Sequence, residues 1–382
     1  MGRTGRRVGW LHRIGAFAAI GTTPAALMLG GGLAEHVPSS SLLPSILLGT
    51  LLVLTLTVLH GVSGQRRGMV FYQIATEVLG LRASRLAALL MSVLMIGWYA
   101  FAIGVGGTAL SQLLGAPDFL GILIYSTGIA SLSRMGLGRW NWVAVSSIVA
   151  TTAFLLWSVW MLGPPPEVVD SPSVGAFGGV LAGSAMVLGF AAAFALRSPD
   201  FTSDLKSGGH VIKASLFGLS IPLAIFSFVG ALLYLGFGTW DLPLLLKSSG
   251  LPVLANLFLV VGFAASSLAN LFSANLSSAH LTGLKPQTCF VGVLLVGTAV
   301  AAMGFYQVMV LWLVFLGVLV PPLILTLVLD RRTVEGHHVY RSLLAWGLGT
   351  LAGFLGWWLH SDFYLLMGLL VPPLILLPRK RS

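Results

Sequence analysis

The sequence predicts an all-α integral membrane protein of about twelve transmembrane helices, ten in a five-plus-five inverted-repeat core and two peripheral to it. Three observations carry that fold class: an apolar composition, basic residues confined to alternate connections, and helices interrupted at corresponding places in two halves. Of 382 residues, 57% are hydrophobic and only 8% charged, whereas a soluble domain carries about 25% charged residues. The formal charge of +10, from 21 Lys and Arg against 11 Asp and Glu, would in a soluble chain point to nucleic acid or another acidic partner. Here the charges fall at the ends of apolar runs, so no nucleic acid is expected. The single cysteine, Cys289, lies inside an apolar run, which leaves neither a disulfide framework nor a thiolate metal cluster.

A bilayer core about 30 Å thick takes roughly 20 apolar residues per helix. Runs of that kind lie near 15–34, 42–62, 84–113, 119–133, 140–162, 175–196, 212–237, 251–279, 286–304, 307–329, 342–360 and 362–377. The fourth and twelfth are short enough to be partly re-entrant. An even number of spans puts both termini on one side. With the N-terminus in the cytoplasm, every one of the 21 basic residues except Lys247 falls inside, including Arg13, Arg66, Arg67, Arg134, Arg197, Lys206 and Lys285. That bias is the one cytoplasmic loops show. The resulting organisation is a cytoplasmic N-terminus over 1–14 and a ten-helix core over 15–329, with repeats 15–162 and 175–329. A cytoplasmic loop over 330–341 follows, then two peripheral helices with a basic tail over 342–382. The chain is expected to be a multi-pass protein of the cell membrane, in contact with lipid. Basic residues ahead of an apolar stretch also fit a cleaved signal, but a five-helix repeat needs the first helix.

No Asp, Glu, Lys or Arg is expected near the centre of a span, which argues against a carboxylate relay. Acidic metal clusters and H-E-x-x-H sets are lacking, and His337-His338 reads as a solvated loop pair. No enzyme is expected. Recognition at membrane depth is then left to aromatics, hydroxyls, an amide and unwound backbone, as suits a neutral planar ligand. In the first span Gly21, Thr22, Thr23 and Pro24 follow one another. Proline removes a backbone donor and clashes with the preceding turn, so the helix is expected to break there. Broken backbone at depth is tolerated where it lines a cavity or is buried, which makes Gly21 to Pro24 a candidate ligand site; the alternative is a proline kink with packing glycines. The sixth span carries a comparable weakness at Gly178-Gly179, Gly183-Ser184 and Gly189-Phe190. Interrupted helices in corresponding places point to a transporter with inverted repeats.

Three segments carry a family likeness: Ser198-Pro199-Asp200-Phe201-Thr202, Ala279-His280-Leu281-Thr282-Gly283-Leu284, and Trp312-Leu313-Val314-Phe315-Leu316 followed by Val320-Pro321-Pro322. With the glycine-rich Gly61 to Gly68 and Gly97-Trp98, the chain resembles the cytosine permeases of the nucleobase-cation-symport-1 family. The resemblance implies a core of the amino-acid/polyamine/cation symporter type and uptake of a planar heterocycle, with Na+ or H+ as coupling ion and no other cofactor. It implies stacking on Trp98. Tyr99 is adjacent but about 100° round the helix. Ala102 stands where the family's glutamine helper can be, unlike a hydantoin-type pattern. The sixth-span aromatic of the family falls at Ala191, so Phe190 and Phe194 are the candidate walls.

By the same resemblance Na+ would be held by carbonyls of the broken first helix near Gly21, by Gly262, and by the hydroxyl of Ser266 or Ser267, although Ala265 stands at the family's first hydroxyl. Asn270 can offer both donor and acceptor to a nucleobase edge, with Thr22 and Thr23 nearby at the break. Asp200 and Asp204 are read as a gate or a cap on the seventh helix, or as surface ion pairs. Other readings stay open: a same-fold transporter of hydroxymethylpyrimidine, allantoin or an amino acid, a non-coupled channel, or a membrane enzyme.

Overall fold

The computed structural model describes residues 7–135, 137–163, 176–239, 241–305, 309–330, 337–359 and 363–377. Each apolar run forms helix, since in lipid every backbone N–H and C=O must be satisfied within its own segment. In chain order the helices are α1 (Ile14–Gly21), α2 (Pro24–His36), α3 (Ser39–Arg67), α4 (Phe71–Leu114), α5 (Asp118–Ser133), α6 (Leu137–Leu162), α7 (Ala176–Thr202) and α8 (Gly208–Lys213). They continue as α9 (Ile221–Phe237), α10 (Leu242–Ser248), α11 (Pro252–Thr282), α12 (Pro286–Ala302), α13 (Met309–Leu329), α14 (His337–Trp358) and α15 (Tyr364–Leu376). A π-helical turn over Ala214–Ser220 joins α8 to α9. The twelve expected spans correspond to α1 with α2, α3, α4, α5, α6, α7, α8 with α9, α11, α12, α13, α14 and α15. The short ones stay short: α5 has 16 residues and α15 has 13, about 24 and 20 Å of helix at 1.5 Å per residue.

The first span is broken where its proline requires. α1 ends at Gly21, and Thr23 is extended (φ −71°, ψ 149°) before Pro24 opens α2. The long α4 bends at Gly80, whose φ of 74° and ψ of 166° suit only a residue without a Cβ. This separates a short leading segment from the span itself.

The expected interruption of the sixth span is absent: α7 runs unbroken from Ala176 to Thr202. Its glycines serve close approach instead. A Cβ at Gly183 would lie 2.5 Å from Ser45 Oγ of α3, and one at Gly189 would lie 2.7 Å from the Leu313 carbonyl oxygen of α13. Small residues let membrane helices pack tightly without unwinding them. The connection expected over 330–341 is also partly helical, because α14 starts at His337; residues 331–336 lie outside the described residues.

Helix pairing has the symmetry of two five-span repeats. α2 packs on α9 as α7 packs on α3, α1 on α6 as α7 on α13, α5 on α11 as α12 on α4, and α6 on α11 as α13 on α4. Each pair maps onto its counterpart when spans one to five of the core are exchanged with spans six to ten. An odd number of spans per repeat inverts the second copy automatically. α14 and α15 pack on each other and on α13 at the periphery. There the Arg341 guanidinium donates to the Ile375 carbonyl (Nε to O 2.7 Å) near the end of α15.

One end of the bundle is tied shut by the N-terminal segment. Val8 pairs in parallel with Leu205, with Val8 N–H donating to Asp204 O at 2.9 Å and Lys206 N–H donating to Val8 O at 3.0 Å. Arg13 forms an ion pair with Asp204, and Gln65 of α3 donates to Leu205 O at 3.2 Å. At the opposite end Lys247 of α10 donates to Gln112 of α4 at 2.8 Å.

Candidate substrate site

At the level of the α1–α2 break, α4, α7 and α11 converge on a central cavity. It is walled by Ile20, Thr23 and Ala25 at the break, Met95, Trp98, Phe101 and Ala102 of α4, Phe190, Phe194 and Arg197 of α7, and Phe263, Ser266 and Asn270 of α11. Its volume is about 20 Å³, room for little more than a single water at about 10–15 Å³ each. The walls are therefore drawn together. On the Lys247 side lies a separate, larger vestibule of about 290 Å³ between α2, α4, α10 and α11, lined by Pro24, Leu27, Val105, Ala109, Asn256 and Leu259 among others. The cavity thus sits between this vestibule at one end and the N-terminal strap at the other.

Aromatic rings set its shape. Trp98 meets Phe190 and Phe101 edge-on, with centroids 5.3 and 5.9 Å apart and interplanar angles of 81° and 89°. Phe101 in turn meets Phe263 at 5.6 Å, and Phe194 meets Phe17 of α1 at 5.1 Å. Edge-to-face pairs of this kind are favoured by the ring quadrupole. The position of Trp98 also depends on Gly97, since a Cβ there would lie 2.6 Å from the Trp312 ring of α13.

The structure brings Trp98, Phe190, Phe194, Asn270, Thr23 and Ser266 to this one cavity and leaves the other candidates outside its wall. Tyr99 faces α5 and α12. Its hydroxyl pairs with Ser126 Oγ at 3.0 Å, Ser126 pairs with Thr298 at 2.7 Å, and a Cβ on Gly297 would lie 2.9 Å from its Cε1. Thr22 turns back on α1, with Oγ1 donating to Ala18 O at 2.7 Å. Gly21 lies against the start of α9, where a Cβ would sit 2.6 Å from Leu219 O. Gly262 seats Pro24, whose Cγ would lie 2.5 Å from an added Cβ. Ser267 is fully buried, one position round α11 from Ser266. The Ser266 hydroxyl donates to Phe263 O at 3.1 Å.

Arg197 is the residue that sequence reasoning missed. Placed at a span boundary and assigned to the loop, it lies instead six residues inside α7, 1% exposed and on the cavity wall. Arg197 thus belongs to the span rather than to the loop, toward its end and not at its centre. α7 continues through Ser198 and Thr202 because both hydroxyls find carbonyls on α3, Thr57 O at 3.2 Å and Gly61 O at 2.8 Å. Asp200 does not pair at the surface. It is buried and accepts the Phe71 N–H at 2.9 Å, where a carboxylate complements the exposed amides that open α4. Asp204 is the one that forms an ion pair, with Arg13.

No family model matches the chain. It is 26% identical over 375 residues to the cytosine permease of Escherichia coli K12, covering 88% of this chain and 84% of that protein. Among solved structures, a nucleobase-cation-symport-1 family transporter in a closed conformation with bromovinylhydantoin bound matches 97% of this chain and 92% of its own. The TM-score is 0.82 and the identity 17%. A substrate-bound outward-open Na+-coupled sialic acid symporter matches 98% of this chain and 90% of its own, at a TM-score of 0.67 and 15% identity. At these identities the two structures speak for the fold, an inverted-repeat transporter core. The likeness in sequence to the cytosine permease extends over most of both chains. The chain is a membrane transporter rather than an enzyme, similar over most of its length to curated cytosine permeases and in fold to a nucleobase-cation-symport-1 family transporter.

Proposed function

We propose that the protein imports a nucleobase or closely related planar heterocycle, of cytosine's size and shape, by cation-coupled alternating access. The observation that carries this reading is the aromatic cavity at the helix break, in which Trp98, Phe190 and Phe194 supply faces and edges and Asn270 an amide. With both termini cytoplasmic, the orientation that the bias of the basic residues supports, the vestibule opens outward and the strap of Val8 and Arg13 closes the inner side. Substrate enters from the vestibule, parts the contracted walls and stacks on Trp98. Release of the strap then opens the path inward. The coupling cation, Na+ or H+, acts beside this cavity. For Na+, the last-turn carbonyls of α1 near Gly21, the Gly262 carbonyl and the hydroxyls of Ser266 and Ser267 are the oxygen donors.

The test is uptake of labelled cytosine into proteoliposomes with an inward Na+ gradient, an inward H+ gradient, or neither. One of the gradients is expected to drive accumulation above the outside concentration. Trp98→Ala is expected to raise the half-saturating concentration by about five- to 150-fold, the equivalent of losing roughly 1–3 kcal/mol of base stacking. Equilibration without accumulation under every gradient defeats the coupling, and unchanged affinity in Trp98→Ala defeats the site.

A further inference from the structure

Burying a guanidinium is costly unless its charge is matched, and within a membrane such a group marks a functional site by default. Arg197 is 1% exposed and faces the cavity beside Trp98, Ser266 and Asn270. Among the described residues no carboxylate lies within the 4.0 Å of an ion pair with it. Its Nη1 donates to the Ala269 carbonyl at 2.8 Å, and its Nε has no acceptor among the described residues. The rings of Phe194 and Phe201 lie 5.0 and 5.5 Å from its central carbon. They hold the planar group in place. Asp200 acts on it electrostatically but gives Oδ1 to the Phe71 N–H. The result is a fixed cation with an unused donor, anchored on the Ala269 carbonyl, whose residue precedes Asn270 on α11.

A guanidinium fork matches two oxygens of a carboxylate, or the ionised edge of an imide, with a pair of charge-assisted hydrogen bonds. A neutral ring offers only ordinary acceptors. We infer that the substrate is a planar heterocycle carrying a negative charge, a ring bearing a carboxylate or an ionised imide edge, and that Arg197 is the residue that selects it. This rests on the cavity being the substrate site. Cytosine then represents the size and stacking of the ligand, while Arg197 sets its charge.

The experiment is equilibrium binding of cytosine, uracil and uracil-6-carboxylate to the purified full-length protein in lipid nanodiscs, for wild type, Arg197→Gln, Arg197→Lys and Trp98→Ala. Wild type is expected to bind the carboxylate about tenfold or more tighter than uracil. Arg197→Gln is expected to bring the two within about threefold, and Arg197→Lys to keep part of the preference, because the charge remains when the fork is lost. Trp98→Ala weakens all probes alike. Tighter binding of uracil or cytosine than of the carboxylate by wild type overturns the inference, as does a carboxylate preference that survives Arg197→Gln. If that variant does not fold, the wild-type ratio and Arg197→Lys decide. Binding unchanged by Trp98→Ala overturns the site assignment instead, and no binding of any probe overturns both.

Discussion

Replacing Gly30 by alanine tests whether the crossing of α2 and α9 is set by direct backbone contact. An added Cβ would lie 2.5 Å from the Ser227 carbonyl carbon and 2.7 Å from its Cα, with the carbonyl oxygen nearer still. The reciprocal contact is similar: a Cβ at Gly230 would lie 2.7 Å from the Leu27 carbonyl carbon. Ordinary Cβ contacts begin at 3.4 Å, so the helices must part by roughly 1 Å over several turns, and no flexible side-chain tip can yield instead. Overpacking of this kind costs about 1–3 kcal/mol, and the rigidity of both partners puts Gly30→Ala at the upper end. The helix-forming gain of alanine over glycine, about 0.5–1 kcal/mol, leaves a net loss of about 2 kcal/mol. Gly32→Ala is the matched control on the same helix, with nothing within 4 Å of its added Cβ. In detergent, Gly30→Ala should melt about 3–4 °C below that control, which takes the same alanine gain without the clash. Adding Gly230→Ala should cost less than its single effect, since the separation has already been made. A Gly30→Ala protein that melts with Gly32→Ala would refute the contact.

Tyr99→Phe removes the hydroxyl that opens the chain to Ser126 and Thr298. It should cost about 0.6 kcal/mol of stability, as interhelical hydrogen bonds in membranes do, while substrate affinity stays within about twofold; a large affinity loss would move the substrate to that side of α4. Asp204→Asn releases the ion pair to Arg13, whose partners are 15% and 37% exposed. In a Cys289→Ser background with Leu205→Cys, a residue otherwise fully buried, reaction with a permeant maleimide should speed up by about two- to fivefold, the scale of an exposed pair worth up to about 1 kcal/mol. No change would show that the ion pair does not hold the strap.

What was legible in the sequence depended on whether the deciding partner was local. Pro24 breaks the first helix through its own ring and the turn before it, so the break at Thr22 and Thr23 could be placed from a few residues. The glycines of α7 look alike on paper, but their role is set by Ser45 and Leu313, which only the fold brings near. Trp98 and Tyr99 illustrate the same limit: their angular separation meant that both could not face one ligand, and the packing of α5 and α12 decided which did. Arg197 was lost because the span was ended at its first charge. The hydroxyls that carry α7 onward bond to α3, more than 130 positions away in the chain. Tyr72 stacked on His280 at 4.8 Å gave no signal at all beforehand.

The strap that pairs Val8 with Leu205 has a bearing on the order of assembly. Arg13 and Asp204 are 191 residues apart in sequence, so during synthesis the first helix enters the bilayer long before its locking partner exists. Closing a loop of that length is entropically slow but not prohibitively costly, since the penalty grows only with the logarithm of length. Until α7 emerges, α1 waits with the surface that will meet the second repeat still uncovered, and its contacts with α9 and α11 form later still. A chain truncated anywhere before residue 204 therefore lacks the closure of its own first helix.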